Sequence, residues 1–297
     1  MTLRQWGVTM GWSAPGAKAR RRVQGLLIVL LLLVIGCYGL GVQVVSSQGL
    51  FIRSYYITGD LPFDPKSPDW SKATPMVIPL SGQVITRPSL PDPTIKSLTV
   101  RSLHNGKELA FLLEWQDPTK NDRLTPGTFR DGAAISFPLG DAPAFFCMGQ
   151  LDHYLNIWHW KADWQTDIDR RKAKEEERKA GGDEGQIRRF EVIPRRASSV
   201  EDLLGGGFST LTSKRGQGTV QGNAVWEQGR WRVVFKRSME TRDPDNDAAF
   251  GPGRMQTAAF AVWNGENKER NGQKAVAPWL QLIIDPIPSE RVEKKES

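Results

Sequence analysis

Residues Phe145 to Trp164 read FFCMGQLDHYLNIWHWKADW and concentrate more potential chemistry than any other stretch of the 297-residue chain. Met148 is a sulfur ligand candidate, Gly149 follows it directly, His153 and His159 offer imidazoles, and Trp158, Trp160 and Trp164 fall within seven positions. The same residue types also serve packing, because Met fills gaps in cores and aromatic rings dominate them. What decides between the two uses is a partner elsewhere in the chain.

One such partner lies in GTVQGNAVWEQGRWRVVFKRS, Gly218 to Ser238. In its second run the period of two puts Trp231, Val233 and Phe235 on one face of a strand and Arg232, Val234 and Lys236 on the other. Haem iron accepts a thioether, which raises its reduction potential and suits electron transfer better than oxygen chemistry. An amine can supply the second axial bond only when neutral, which requires burial and the metal to pull its pKa well below about 10.4. By pattern alone Lys236 reads as a solvent-facing neighbour of Arg237, or, if one face fills a core and the other lines a pocket, as that ligand.

Other chemistry is poorly represented. There is no G-x-S-x-G, H-E-x-x-H, P-loop or G-x-G-x-x-G set between strand and helix. Gly205-Gly206-Gly207 reads as a loop, and His104, His153 and His159 read as surface or satisfied core histidines. The two cysteines, Cys37 and Cys147, fall in different regions and no C-x-x-C-H occurs. Neither a disulfide framework nor covalent haem attachment is expected.

The formal charge is +7. Arg4, Lys18, Arg20, Arg21 and Arg22 supply five of those charges before residue 53, so the remainder of the chain is nearly balanced. With no recognition helix or arginine stripe there, nucleic-acid binding is not expected. Val23 to Val45, VQGLLIVLLLLVIGCYGLGVQVV, carries no charge and suffices to cross a hydrocarbon core of about 30 Å. A cleaved signal is the competing reading, with Ser46-Ser47 as its site, although its apolar region is typically only about 7–15 residues long. Lys18 to Arg22 keep residues 1–22 in the cytoplasm and send the rest across the membrane, to the periplasm in a bacterium.

The elements that must position the candidates follow. Residues 46–75, rich in Pro and Asp, read as a linker. Met76 to Thr86, Ala133 to Leu139, Gln256 to Trp263 and Ala277 to Asp285 read as strands. Ser97 to Trp115 reads as a hairpin, with Asn105-Gly106 supplying a type I′ turn. Residues 166–196 form a charged insertion in which Lys172 with Glu176 and Glu175 with Lys179 support a short exposed helix. The tail, 289–297, is charged. Short strands separated by turn signals predict a mainly β chain: a β-sandwich over 76–288 preceded by one transmembrane helix over 23–45.

FFCMGQ, NIWHWKADW, GRWRVVFKRSM, AAFAVWNGENKERNGQKAV and the closing W-L-Q-L, in this order over roughly Met76 to Asp285, resemble the haem b subunit of periplasmic molybdenum oxidoreductases. That group includes ethylbenzene dehydrogenase, dimethylsulfide dehydrogenase, selenate and chlorate reductases and nitrite oxidoreductase. The resemblance implies a β-sandwich holding one non-covalent haem b between a methionine and a lysine, at the positions of Met148 and Lys236. It also implies an electron-transfer subunit without substrate chemistry of its own. Its partners would be molybdopterin-containing and iron–sulfur subunits on one side and a soluble cytochrome or the quinone pool on the other. An anchored N-terminus and the charged insertion depart from many members. The alternative is a haem-free carbohydrate-binding sandwich in which Trp158, Trp160 and Trp164 stack on sugar rings.

Overall fold

The computed structural model describes residues 51–140, 149–150, 153–180, 193–207 and 210–288. Of fourteen strands among them, eleven form one continuous hydrogen-bonded path folded into two layers. The first layer runs β10 (Gln221–Glu227), β11 (Arg230–Ser238), β5 (Glu108–Gln116), β4 (Ser97–His104), β1 (Phe51–Tyr56) and β14 (Leu280–Ile284). The path then passes through β12 (Met255–Trp263) into the second layer, β6 (Gly132–Pro138), β7 (Leu155–Lys161), β8 (Val200–Gly205) and β9 (Leu211–Ser213). Three short strands complete the set: β2 (Met76–Pro79) pairs with β4, and β3 (Ser81–Gly82) pairs with β13 (Ala275–Val276), itself beside β12.

β12 makes the corner. Met255 to Ala258 bond to β14, whereas Ala259 to Trp263 bond to β6, so one strand serves both layers with two alanines at the change. Between the layers lies an aromatic core. Trp158, Trp160, Trp231, Phe111, Phe137 and Phe235 are fully buried, and neighbouring rings meet edge-on, with centroids 4.8 Å apart for Phe137 and Trp158 and 4.9 Å for Trp160 and Trp231. Such pairs contribute about 0.5–1.5 kcal/mol each beyond their buried area. Trp231, Val233 and Phe235 face this core as their alternation requires.

Residues 51–73, read from composition as part of a linker, are packed into the sandwich. β1 runs parallel to both neighbours, its residues Phe51 to Ser54 aligned with Gln281 to Ile284 and Ser54 to Tyr56 with Ser102 to His104. Residues 57–73 then cross the outer face of the first layer, where Leu61, Trp70 and Ala73 close over Leu103, Ala110, Leu112 and Val234. A single turn of 3-10 helix, Pro68–Lys72, begins under Ser67, whose hydroxyl accepts from Asp69 N at 3.3 Å, and Trp70 Nε1 donates to Asp64 O at 3.1 Å. Prolines and aspartates, which on composition suggest spacer, here build turns that carry a buried tryptophan.

Other differences are local. The strand expected over Met76 to Thr86 divides into β2 and β3. The β4–β5 hairpin forms, but only Gly106 has positive φ, +85°. Asn105 instead uses its side chain, Oδ1 accepting from Lys107 N at 3.0 Å and Glu108 N at 2.8 Å. Positive φ at both central positions occurs between β10 and β11, at Gln228 (52°) and Gly229 (71°). The helix of the charged segment, α1 (Ala162–Lys179), starts directly after β7 and buries only Ala162 and Gln165. Its first turns are tied by Arg130 to Asp163 at 2.8 Å and Arg196 to Asp167 at 3.2 Å. The apolar run Val23 to Val45 and the tail lie outside the described residues, among which no helix is long and apolar enough to cross a membrane.

A chain starting at Met76 lacks a central strand and the cover of one sheet face. It is expected to lose cooperative thermal unfolding in circular dichroism, whereas a chain starting at Phe51 keeps it. A second prediction concerns His104, buried at the β1–β4 contact with its ring 5.5 Å from that of Tyr56. Burial pulls its pKa below the ordinary 6.5, opposed by the charge of Asp285. The neutral ring is therefore the folded form, and its stability is complete above pH 6.5 and declines as pH falls through the depressed folded value. His104→Phe should flatten the loss of denaturation midpoint between pH 7 and 5 relative to the unaltered chain.

Candidate functional site

Met148 itself lies outside the described residues, but both sides of its segment are held by β6 and β7. Leu139 N donates to Tyr154 O at 2.9 Å, closing the connection between the two strands. Gln150 and His153 then exchange backbone hydrogen bonds of 3.1 and 2.9 Å. Gly149, next to Met148, has φ +77°, and a Cβ there would stand 2.6 Å from Gly205 O at the end of β8. Neither the backbone conformation nor the space admits a side chain. The glycine that follows Met148 is thereby packed against the second layer.

That layer has a distinctive outer face. Because Trp158 and Trp160 fill the core, the alternation of β7 turns Leu155, Ile157 and His159 outward. Leu155 and Ile157 join Ala134, Leu203, Ala261 and Trp263 in a buried apolar cluster of their own, with Val276 and Trp279 packed on it. His159 stacks on Trp263, ring centroids 4.7 Å apart. Burial first, and then the charges of Lys161, Arg130 and Lys274, hold its pKa well below the ordinary imidazole value, so the ring is neutral. Lys274 is only 5% exposed, and its Nζ lies 5.3 Å from the centre of the Trp263 ring. An apolar wall, a flat indole, a neutral imidazole and a nearly buried amine therefore share the layer from which the Met148 segment emerges.

Lys236 is placed differently. It faces outward from the first layer, as its alternation requires, with its side chain 21% exposed, its Nζ 3.3 Å from Glu108 Oε1 and 5.5 Å from the centre of the Phe63 ring. Phe63 belongs to the 57–73 segment that covers this face, and Asn223 Nδ2 holds it there by donating to its carbonyl at 3.0 Å. Iron ligation by Lys236 would have to break its ion pair. His153 is half-buried at the Gln150 bridge. Among the described residues no group of three His, Cys, Asp or Glu side chains is placed to hold a metal ion.

The aromatic platform is absent. Trp158 and Trp160 are core residues, and Trp164 is partly covered by Lys161 Nζ at 4.3 Å and the Arg196 guanidinium at 4.4 Å. None of the three offers an open ring face to a sugar as expected. Lys274 is the residue that sequence reasoning passed over. It precedes a two-residue strand, too short for alternation to reveal a facing, and the only signal was its place in the AAFAVWNGENKERNGQKAV motif.

Residues 67–275 match the ethylbenzene dehydrogenase family, well over half of the chain. The chain belongs to the ethylbenzene dehydrogenase family. Its relatives include a chain named as a respiratory nitrate reductase haem subunit from Haloferax mediterranei, 26% identical over 91% of this chain and 87% of that one. The chlorate reductase gamma subunit of Ideonella dechloratans is 27% identical over 63% of this chain and 64% of its own length. The dimethylsulfide dehydrogenase gamma subunit of Rhodovulum sulfidophilum is 25% identical over 64% and 62%. Among solved structures, a family 9 carbohydrate-binding module from Caldicellulosiruptor kristjanssonii superposes with a TM-score of 0.45 at 10% identity, over 80% of this chain and 97% of that chain. The relatives similar to this chain are thus named as subunits of a nitrate reductase, a chlorate reductase and a dimethylsulfide dehydrogenase.

Gly149→Ala places a methyl group against the Gly205 carbonyl in a left-handed backbone. It should cost about 1–3 kcal/mol in equilibrium unfolding, whereas Gly140→Ala, also at positive φ but with no atom within 4 Å of the added Cβ, should cost less.

Proposed function

We propose that this chain is a membrane-anchored b-type cytochrome subunit. It relays electrons between a molybdenum and iron–sulfur oxidoreductase and a soluble cytochrome or the quinone pool, with its β-sandwich outside the cytoplasm. The observation that carries this reading is the family match over residues 67–275, with a relative covered almost end to end that is named a haem subunit. The apolar outer face of the second layer supports it independently. Val23 to Val45 would be the anchor.

The group would be a single haem b, held without covalent attachment. Bound, it would supply one-electron transfer, and a thioether ligand would favour the ferrous state. The chain's own residues have separate tasks. Met148 would supply its thioether, Trp263 and the Ile157–Leu203 face would exclude water, and His159 is a neutral ring stacked on the indole. A lysine amine completes the set. The resemblance assigns this role to Lys236. Lys274 is a second candidate, because it is 5% exposed and its Nζ lies 5.3 Å from the Trp263 ring of the second layer's apolar cluster. The sugar-binding alternative loses its motive with Trp158 and Trp160 in the core.

The test is spectroscopic. The purified chain should show a Soret band, release all its haem to acidified acetone and be six-coordinate and low-spin when reduced. Met148→Ala should give a partly high-spin spectrum and new carbon monoxide binding. The ligating lysine, replaced by Ala, should do the same, and Arg should not rescue it because guanidinium stays protonated. Loss of low-spin character in Lys274→Ala but not in Lys236→Ala selects Lys274, and the reverse selects Lys236. Retention in both, with loss on replacing His153 or His159, would sink the lysine assignment.

A further inference from the structure

The strand directions bring three loops to one end of the sandwich. β1 runs parallel to β4 and β14, β5 is antiparallel to β4, and β12 is antiparallel to both β14 and β6. So β1, β4, β6 and β14 begin at the end where β5 and β12 finish. Residues 83–96, 117–131 and 264–274 form that end, and hydrogen bonds join them. Gln83 Nε2 donates to Gly272 O at 2.7 Å, Asn264 Nδ2 to Thr94 Oγ1 at 2.8 Å and Gly265 N to Asp131 Oδ1 at 2.8 Å.

This joined surface presents apolar side chains to solvent. Val84, Ile85 and Leu124 are 62%, 58% and 52% exposed. The buried Gln83 amide fixes the turn that carries the first two, donating to Thr86 O at 3.0 Å and accepting from Thr86 N at 2.7 Å. Exposed apolar residues scattered singly need no explanation, whereas several on one face rimmed by polar groups mark a contact surface. The rim here is basic. Its exposed charges are Arg87, Lys96, Lys120, Arg123, Lys268 and Arg270 against Asp92 and Glu266. Lys96 pairs with Asp92 and Lys120 with the half-buried Asp122, which leaves the excess to the four others. Buried groups included, the three loops still hold eight basic residues to six acidic.

Phe51, the first residue of β1, starts at this same end, and five residues separate it from Val45, the last of the charge-free run. An extended chain spans about 3.3–3.6 Å per residue, so the six steps from Val45 to Phe51 reach roughly 20 Å. The headgroup layer takes about 5–7 Å of that. We infer that this end of the sandwich rests on the outer leaflet of the membrane, with Val84, Ile85 and Leu124 among the headgroups and Arg87, Arg123 and Lys268 against anionic lipid phosphates. The inference rests on Val23 to Val45 being the anchor. Apolar tips rimmed by arginine and lysine suit an interfacial contact that anionic lipid strengthens. The opposite end, where residues 139–154 connect β6 to β7, then faces away from the bilayer.

The full chain is reconstituted in nanodiscs of phosphatidylcholine with and without phosphatidylglycerol, and amide hydrogen exchange is compared with that of the chain in detergent. Exchange within 83–91 and 121–128 should slow severalfold in the anionic discs and recover in high salt, which screens the basic rim. β9, whose Leu211 is 47% exposed at the far end, should not change. Val84→Ser with Ile85→Ser should abolish the slowing at 83–91. Should that variant fail to fold, Arg87→Glu with Arg123→Glu, both at exposed positions, should remove the response to phosphatidylglycerol. An inserted chain whose loops exchange no more slowly in anionic discs than in phosphatidylcholine or detergent overturns this inference and leaves the anchor standing. Slowing that survives both variants, or that β9 shares, overturns it equally. A chain that carbonate strips from proteoliposomes of the same lipids overturns the anchor, and this inference with it.

Discussion

A β-strand sends successive side chains to opposite faces, so each residue given to the core hands its neighbour to the outside. Most of this architecture follows from that bargain. Trp158 and Trp160 enter the core and thereby turn Ile157 and His159 outward. Trp231, Val233 and Phe235 enter it and turn Val234 and Lys236 outward. Each layer is thus apolar on both faces, and its second face needs a cover. For the first layer the cover is residues 57–73. The second layer's apolar outer cluster carries the residues best suited to a flat cofactor.

Where function depends on alternation, it was legible in the sequence. The two facings of β11 and the general β-sandwich follow from a period of two and from turn signals. What escaped depends on contacts distant in sequence. β1 lies beside β14, more than 220 residues away in register, and parallel pairing leaves no local turn to announce it. The 57–73 cover hides a buried tryptophan within spacer-like composition. Lys274 sits outside any periodic run, so its burial against Trp263 is visible only once β12 and β13 are paired.

Arg237 shows the cost side of the same rule. On the strand it shares a face with Phe235, so it enters the interior, although in sequence it reads as a surface companion of Lys236. Inside, its guanidinium lies 4.7 Å from the Phe250 ring centre and 5.1 Å from that of Trp158, and it donates to Ala248 O at 2.5 Å. Asp247 supplies the opposite charge and is itself shared with Lys214. Burying an unpaired guanidinium would cost several kcal/mol. Here the charge is balanced by a network joining β11, the 240s loop and β8, which fixes the end of the core nearest Asn156.

An axial amine and a stabilising ion pair are incompatible uses of one lysine, because the first needs the proton removed and the second needs it kept. Lys236 holds its Nζ 3.3 Å from Glu108 with its side chain partly in solvent, so ligation there would have to break that pair. Lys274 is 5% exposed, with its Nζ 5.3 Å from the centre of the Trp263 ring. Where Lys214 and Arg237 meet Asp202, Asp243 and Asp247, the buried charges offset one another.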